Sequence, residues 1–388
     1  MKSFVLTVFT CLMILQPASS ADHGGKKTVP GRKVSMSFVI LGDLHYCDSR
    51  FYDLDSMLKD KPDDWRQITK TYVPLAEANW DDQMKNISTV VKRTEPEVKC
   101  ILQLGDVSEG LGNYAGAPSA IAENIVKKLK SNDFGCPWLQ VKGNHDITGV
   151  GDGCKEEAKS AYGQYYTPFI KEQIGSDTLA EGKYSYETYG VLFVILDAYD
   201  HKTDQVAFAK KVLESSRAKY KFVCLHEPVI PATERCWHYL RHKSSERDEL
   251  LKTIAENKAF VLCGHLHRYS VLRRKTPWGP IVQVMANSVS NLMRSATTGQ
   301  ALDGVEYYGT YLCDVHKPDF NPANHDERHA MLEAEAPFVD YYKMNTLAGV
   351  GVISIDGRHD KVMLRYYPAF DIDTPYDEVD LTELYNRP

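Results

Sequence analysis

The chain has 388 residues and an ordinary globular composition, with 43% hydrophobic and 25% charged residues. Its formal net charge at pH 7 is −6. This charge argues against a protein that binds nucleic acids nonspecifically, because such proteins use an excess of Lys and Arg to neutralise phosphates. Any phosphate chemistry must therefore come from a local site.

The N-terminus has the pattern of a secretory signal peptide. Lys2 precedes an apolar run over residues 4–15, and small residues follow over 17–21. The apolar run is well short of the roughly 20 residues that cross a bilayer. We therefore expect residues 1–20 to be removed, the protein to be secreted or periplasmic, and the mature chain to have no transmembrane segment.

Six short apolar runs predict strands that are buried on both faces, because each run is continuous and rich in branched residues. They cover residues 37–41, 99–104, 138–141, 192–196, 222–225 and 260–263. Apolar residues at helical spacing lie between several of them, over residues 80–91, 121–129 and 206–213. This alternation predicts an α/β fold with parallel strands, in which ligands bind at the carboxyl ends of the strands.

Two further patterns predict antiparallel hairpins. Residues 184–187 are followed by Gly190 and the strand that ends at Asp197, and residues 350–355 are joined to 362–366 through an Asp-Gly pair. These hairpins predict a second sheet.

We expect a single domain over residues 35–368. Within it, residues 48–78 and 296–345 are rich in Tyr, Pro and charge without a clear period, which predicts long loops or insertions around the site. Residues 369–388 are acidic and are predicted to form a C-terminal tail on the surface.

Five of the predicted strands are followed immediately by side chains that can bind metals. They are Asp43 and His45, Asp106 and Glu109, Asn144 and His145, His226, and His265 and His267. Taken singly, an Asp or Asn at such a position is usually a turn former. Because the fold gathers the ends of parallel strands, the whole set predicts a metal centre built from converging groups.

The order of these motifs resembles the calcineurin-like metallophosphoesterase superfamily. The chain reads Gly-Asp-x-His at 42–45, Gly-Asp-x-x-Glu at 105–109, Gly-Asn-His-Asp at 143–146 and Gly-His-x-His at 264–267, with His226 before the last motif. The resemblance covers about residues 37–290. It implies two packed sheets flanked by helices, an αββα sandwich, with a binuclear metal site at the carboxyl ends of the strands.

The resemblance also implies a role for each residue of the set. The ligands of a first metal ion would be Asp43, His45 and His267. Those of a second ion would be Asn144, His226 and His265, with Asp106 bridging the two ions. His145 would lie beside the leaving group as general acid, and Glu109 would be the acid that orients it.

The implied reaction is hydrolysis of a phosphodiester or phosphomonoester by a metal-bridging hydroxide, without a covalent phosphoenzyme. Mixed His, Asp and Asn ligands suit divalent or mixed-valence Mn, Fe or Zn better than Mg. The expected partner is a small phosphorylated substrate, such as a nucleotide or a glycerophosphodiester. Purple acid phosphatase-like members have Gly and Tyr where this chain has His45 and Glu109, so the sequence argues against that group.

Two other functions stay open on the sequence alone. One is a noncatalytic module that binds a phosphorylated ligand through metal ions, although such a module has no need of an acid and its orienting group. The other is a metal-dependent amidohydrolase, in which a His-x-His pair also occurs. There the pair usually follows the first strand, whereas His265 and His267 follow the last of the runs.

Overall fold

The computed structural model describes residues 34–176, 179, 182–232, 238–289, 300–309, 325–368 and 373–388. The predicted signal peptide, residues 1–20, lies outside these ranges, as do parts of the predicted insertion at 296–345 and the first residues of the predicted tail. Among the helices of the described ranges, none combines the length and the apolar character that a bilayer span needs.

The strands of the described residues are numbered in chain order. They are β1 (Ser35–Leu41), β2 (Val98–Gln103), β3 (Trp138–Gln140), β4 (Tyr184–Thr188), β5 (Val191–Ile195), β6 (Tyr220–Cys224), β7 (Phe260–Cys263), β8 (Tyr269–Arg274), β9 (Ile281–Met285), β10 (Ala301–Asp303), β11 (Val339–Asn345), β12 (Gly349–Asp356), β13 (Lys361–Pro368) and β14 (Asp377–Asp380). All six predicted buried runs and both predicted hairpins are present as strands.

The helices lie between the strands and include two short π-helical turns, Ile68–Tyr72 and Tyr162–Tyr166. The α-helices are α1 (Leu54–Asp60), α2 (Pro62–Gln67), α3 (Val73–Arg93), α4 (Ala117–Lys130), α5 (Cys154–Ala161), α6 (Thr167–Ile174), α7 (Gln205–Ser215), α8 (Ser244–Glu256), α9 (His325–Glu335) and α10 (Leu381–Asn386).

These strands form two sheets. The first has the order β14-β13-β12-β1-β2-β3, in which β1, β2 and β3 are parallel and the other strands pair in antiparallel fashion. The second has the order β10-β11-β8-β9-β7-β6-β5-β4, in which β5, β6, β7 and β9 are parallel. In the second sheet the parallel strands therefore occupy the middle, whereas in the first sheet β1 and β2 are internal and β3 is the edge strand.

The two sheets pack face to face, and aromatic rings fill the layer between them. The ring of Phe38 in β1 lies 4.9 Å from that of Phe193 in β5 and 5.0 Å from that of Phe222 in β6, both in edge-to-face contact. The alternate residues of β5, Leu192 and Val194, point to a second apolar layer with residues of α7 and α8. Since α3 and α4 pack with the first sheet in the central core, the layers run helix, sheet, sheet, helix, which confirms the predicted αββα sandwich.

The predicted loop over residues 48–78 is mostly helical. It contains α1, α2, the first π-helical turn and the start of α3. Its short helices keep many polar residues exposed and bury few apolar ones, so the sequence shows no helical period. In the predicted insertion at 296–345, the described residues include β10, α9 and β11, and β11 pairs with β8.

The acidic end of the chain is part of the first sheet rather than a surface tail. β14 pairs with β13, and the helix α10 that follows it is capped by Asp380, whose carboxylate accepts the N–H groups of Thr382 and Glu383. Leu381 and Leu384 are buried. The predicted boundary at residue 368 therefore does not separate this end from the domain.

Candidate metal centre

The residues predicted to form the site lie on one rim of the molecule, where the carboxyl ends of parallel strands from both sheets meet. The loops after β1, β2 and β3 supply six of the predicted ligand and acid positions, and the loops after β6 and β7 supply the remaining three histidines. Backbone bonds join these loops: the N–H of Gly264 donates to the carbonyl of His226 at 2.9 Å, and the N–H of Val289 donates to that of Asp43 at 2.8 Å. Both sheets thus build the rim, whereas strand patterns alone predict the rim of one sheet.

The first ligand group consists of Asp43, His45 and His267, whose ligand atoms lie within 4.8 Å of one another. The Nε2 atoms of His45 and His267 are 3.0 Å apart, and Nε2 of His267 is 3.3 Å from Oδ1 of Asp43. This is the set that the resemblance assigns to the first metal ion.

The second ligand group consists of Asp106, His226 and His265, which also lie within 4.8 Å of one another. Oδ2 of Asp106 is 3.0 Å from Nε2 of His226, and that nitrogen is 3.2 Å from Nδ1 of His265. The same carboxylate oxygen is 3.9 Å from Nε2 of His45. Asp106 therefore faces both groups, as expected of a bridging ligand.

Hydrogen bonds on the far side of two rings fix which nitrogen faces the carboxylates. Nδ1–H of His226 donates to the carbonyl of Leu104 at 2.7 Å, and Nδ1–H of His45 donates to Oε2 of Glu109 at 2.6 Å. In each ring the lone pair of Nε2 is then available as a ligand. Oδ1 of Asp43 is buried among the described residues without a hydrogen-bond partner, which a cation would satisfy. The residues present thus fit a metal centre.

The charges of the carboxylates act strongly on the buried rings. Burial by itself lowers the pKa of His45, but the hydrogen bond and charge of Glu109 outweigh it and raise the pKa to about 9. Burial is likewise outweighed at His226, where Asp106 raises the pKa to about 10. Burial and the neighbouring His226 lower the pKa of His265 to about 3. The centre of the site therefore favours positive charge, which bound metal ions supply.

The structure places Glu109 differently from the role implied by resemblance. Its carboxylate accepts a hydrogen bond from His45, a predicted ligand, and lies 3.8 Å from Nδ1 of His145. Nδ1 of His145 donates instead to the backbone carbonyl of Glu109 at 2.7 Å. The turn after β2 points the side chain at one histidine and the carbonyl at the other, a difference that residue spacing does not reveal.

A metal ion between Glu109 and His45 is excluded by distance. Glu109, His45 and His145 form a third group of close ligand atoms. However, the 2.6 Å between Oε2 of Glu109 and Nδ1 of His45 is a hydrogen-bond length, and two ligands that each lie about 2.0–2.2 Å from a zinc ion stand further apart. This group supports the metal centre from outside.

His145 is held against Asp106 through its backbone, and the side chain of Asn144 is contacted by that of Tyr199. The N–H of His145 donates to Oδ1 of Asp106 at 2.7 Å, and the hydroxyl of Tyr199 donates to Oδ1 of Asn144 at 3.3 Å. The side chain of His145 is 19% exposed, in contrast to the fully buried Glu109. A substrate can therefore reach the ring of His145 directly.

Four site residues adopt left-handed backbone conformations that are uncommon outside glycine. The φ angles are 44° at His45, 56° at Asp106, 74° at His265 and 50° at His267. Such strained residues cluster at functional sites. Here the conformation lets His265 and His267, only two positions apart, serve different ligand groups.

Two motif glycines are required by close packing of the loops. A Cβ at Gly105 would lie 2.3 Å from Nδ1 of His226, and one at Gly143 would lie 2.1 Å from the backbone nitrogen of Asp106. Gly105 also has a φ of 99°. The sequence predicts a sharp turn at these positions, and the structure adds direct contact between neighbouring loops.

Asp146 is a site residue to which the sequence motifs assign no role. Its buried carboxylate accepts the N–H groups of Asp106 at 3.1 Å, Ser108 at 3.0 Å and Gly143 at 2.9 Å. Burial and the charge of Asp106 raise its pKa to about 6, against these hydrogen bonds. Asp146 thus ties the loop after β2 to the loop after β3. The sequence signal that points to Asp146 is its place as the last residue of the Gly-Asn-His-Asp motif.

Comparison with known proteins identifies a family and a shared fold. The family described as calcineurin-like phosphoesterase matches residues 36–269. A purple acid phosphatase, PPD1 from yellow lupin (Lupinus luteus) seeds, superposes with a TM-score of 0.51 at 13% identity, covering 91% of this chain and 54% of the lupin chain. PhoD superposes with a TM-score of 0.51 at 12% identity, covering 87% of this chain and 67% of PhoD.

The structural similarities and the family match support different conclusions. At such low identities the two solved structures show a shared fold alone, and this chain spans about half of the length of the lupin phosphatase. No curated protein matches the sequence. The family match, in contrast, covers more than half of the chain and includes every predicted ligand position. The chain belongs to the calcineurin-like phosphoesterase family.

Proposed function

We propose that the protein is an exported phosphoesterase that uses two metal ions to hydrolyse a small phosphodiester or phosphomonoester. One observation carries this proposal: two adjacent ligand groups both face the buried carboxylate of Asp106, beside the partly exposed ring of His145. A protein that only bound a metal for stability would have no use for that ring.

Seven residues would hold the ions. Asp43, His45 and His267 would bind the first, Asn144, His226 and His265 the second, and Asp106 both. Their nitrogen and oxygen donors suit Mn, Fe or Zn. When bound, two such ions polarise phosphoryl oxygens and lower the pKa of water, so that it attacks at neutral pH.

His145 is proposed to protonate the leaving oxygen. Because its Nδ1–H is engaged by the carbonyl of Glu109, Nε2 is the nitrogen that can carry a transferable proton. A backbone carbonyl cannot take up the Nδ1 proton at ordinary pH, so the bond fixes the ring without competing for its proton. Glu109 is proposed to act on the first ligand group through His45 rather than on the acid.

The test is hydrolysis by the purified protein loaded with Mn²⁺. It should cleave a nitrophenyl phosphate monoester or its diester and stop after chelation, and the ratio of the two rates would assign the ester class. A protein that holds its metal ions but cleaves neither ester would contradict an enzymatic role and favour a phosphate-binding module.

The substitution His145→Ala tests the acid role. It should retain both metal ions and lower kcat by about 10²–10⁴-fold, most for esters with poor leaving groups. His359→Ala, which removes a surface histidine that is 76% exposed, is the matched control and should match the unaltered protein. Normal rates for His145→Ala would remove His145 from the mechanism.

A further inference from the structure

The helical segment over residues 54–93 contacts the outer side of the first ligand group. Nε2 of Gln67, the last residue of α2, donates to Oε1 of Glu109 at 2.5 Å. Glu109 is fully buried, and its other oxygen accepts the Nδ1–H of His45 at 2.6 Å. A continuous hydrogen-bonded chain therefore runs from a surface helix through Glu109 to a metal ligand.

A second residue of the same segment contacts the same ring. The ring of Tyr72 stacks on that of His45, with centroids 4.6 Å apart and an angle of 25° between the planes. Tyr72 is only 8% exposed. The rings of His145 and His45 meet edge to face, with centroids 4.7 Å apart and an angle of 78° between the planes. The imidazole of His45 is therefore restrained in its plane by Glu109 and across its face by Tyr72.

The π-helical turn Ile68–Tyr72 explains how both residues reach the site. The N–H of Val73 bonds to the carbonyl of Ile68, five residues earlier, so this turn contains an extra residue. Around a regular α-helix, residues five positions apart are separated by about 140°, which would turn Gln67 and Tyr72 away from each other. The π turn lets both face the His45–Glu109 pair.

We propose that Gln67 and Tyr72 are positioning residues that hold His45 in the orientation required to bind the first metal ion. Gln67 fixes the carboxylate of Glu109, and Tyr72 limits tilting of the ring, so that Nε2 of His45 points to Asp43 and Asp106. This inference rests on the proposed role of His45 as a metal ligand. It assigns a function to a segment that lies outside the metal-binding motifs.

Binding of Co²⁺ to the metal-free protein tests the proposal without any assay of activity. Co²⁺ is suitable because its visible spectrum reports the geometry of its ligands. Gln67→Met keeps the side-chain volume but removes the donor, and Tyr72→Leu removes the stacked ring. Each variant should weaken one of the two Co²⁺-binding steps about tenfold and alter the spectrum of that step alone. Tenfold is the lower end of the roughly 10–100-fold range for loss of a residue that supports a metal ligand.

Two controls separate positioning from packing. Tyr72→Phe retains the stacked ring, and Arg66→Ala alters an exposed neighbour of Gln67, so both should bind Co²⁺ like the unaltered protein. If Gln67→Met and Tyr72→Leu lower the melting temperature of the metal-free protein but leave affinity and spectrum unchanged, the segment only packs and the proposal is overturned.

The substitution His45→Ala distinguishes this failure from failure of the proposed site. It should abolish the affected binding step. Unchanged Co²⁺ binding by His45→Ala would refute His45 as a ligand, whereas loss of the step in His45→Ala with normal binding in the other two variants would refute only the positioning role.

Discussion

The two ligand groups are alike at their centres and different in their support. Each has a buried histidine whose Nε2 faces carboxylates, His45 in the first and His226 in the second. The far nitrogen of His45 donates to the charged side chain of Glu109, whereas that of His226 donates to the backbone carbonyl of Leu104. The first group can therefore be adjusted by side-chain substitutions, while the second is fixed by the main chain at the end of β2.

The largest effect is expected where the two groups meet, at Asp106→Asn. The N–H of His145 can still donate to an amide oxygen, but the amide nitrogen then faces Nε2 of His226 and the charge shared by both groups is lost. Both metal-binding steps should weaken by more than the roughly 10–100-fold that follows loss of an outer-shell partner. Calorimetric titration of the metal-free variant with Mn²⁺ measures this.

Asp360→Asn removes an equivalent charge at a surface ion pair with Lys219 and serves as control. If Asp106→Asn weakens only one of the two steps, Asp106 belongs to a single group and does not bridge.

A smaller and one-sided effect is expected for Glu109→Gln. One carboxylate oxygen becomes an amide nitrogen, so either Gln67 or His45 faces a donor where it had an acceptor. Metal binding to the first group should fall about 10–100-fold while the second group binds normally. Resolved two-step Co²⁺ spectra would show this.

The exposed residue Glu156, which pairs with Lys159, provides the control Glu156→Gln. Equal weakening of both steps in Glu109→Gln would mean that the two groups do not differ in their support.

The smallest expected effect is a gradual dependence of the stability of the chelated protein on pH. The pKa of His45 is raised from 6.5 to about 9 and that of His226 to about 10, so both rings bind protons more tightly in the folded state. Their stabilising contribution is complete below pH 6.5 and is lost as pH rises through 9 and 10. His265, with its pKa lowered to about 3, stays neutral throughout this range.

Urea unfolding in chelator should therefore show a midpoint that falls between about pH 7 and pH 10. The metal-loaded protein should instead bind its ions more tightly as pH rises, because the ions displace these protons. A urea midpoint that rises with pH in the chelated protein would mean that the neighbouring carboxylates do not keep the rings of His45 and His226 protonated.

Much of the fold follows from the sequence because the central strands are buried on both faces. The continuous run of β5 has every residue buried, and Leu192 and Phe193 pack into different layers. The Asp-Gly pair at residues 356–357 likewise predicts the β12–β13 hairpin, although the turn spans residues 357–360 and its left-handed residue is Asp360, with a φ of 53°. The glycine-flanked Asp, Asn and His residues predict the metal centre because they follow strands whose ends converge.

The remainder depends on tertiary contacts that no local pattern encodes. Gln67 and Tyr72 lie in a polar segment whose period is broken by a π-helical turn, so their direction cannot be read from spacing. Glu109 has two histidines within 3.8 Å, and only the turn after Asp106 decides which one its carboxylate meets. At the C-terminus, the acidic composition conceals the buried Leu381.

The close packing at Gly105 and Gly143 limits how the site can be redesigned. Any side chain at either position would collide with His226 or with the backbone of Asp106, so the ligand loops accept no change at their contacts. Directed evolution of substrate preference should therefore leave these inner loops unaltered and accumulate replacements at residues outside their contacts.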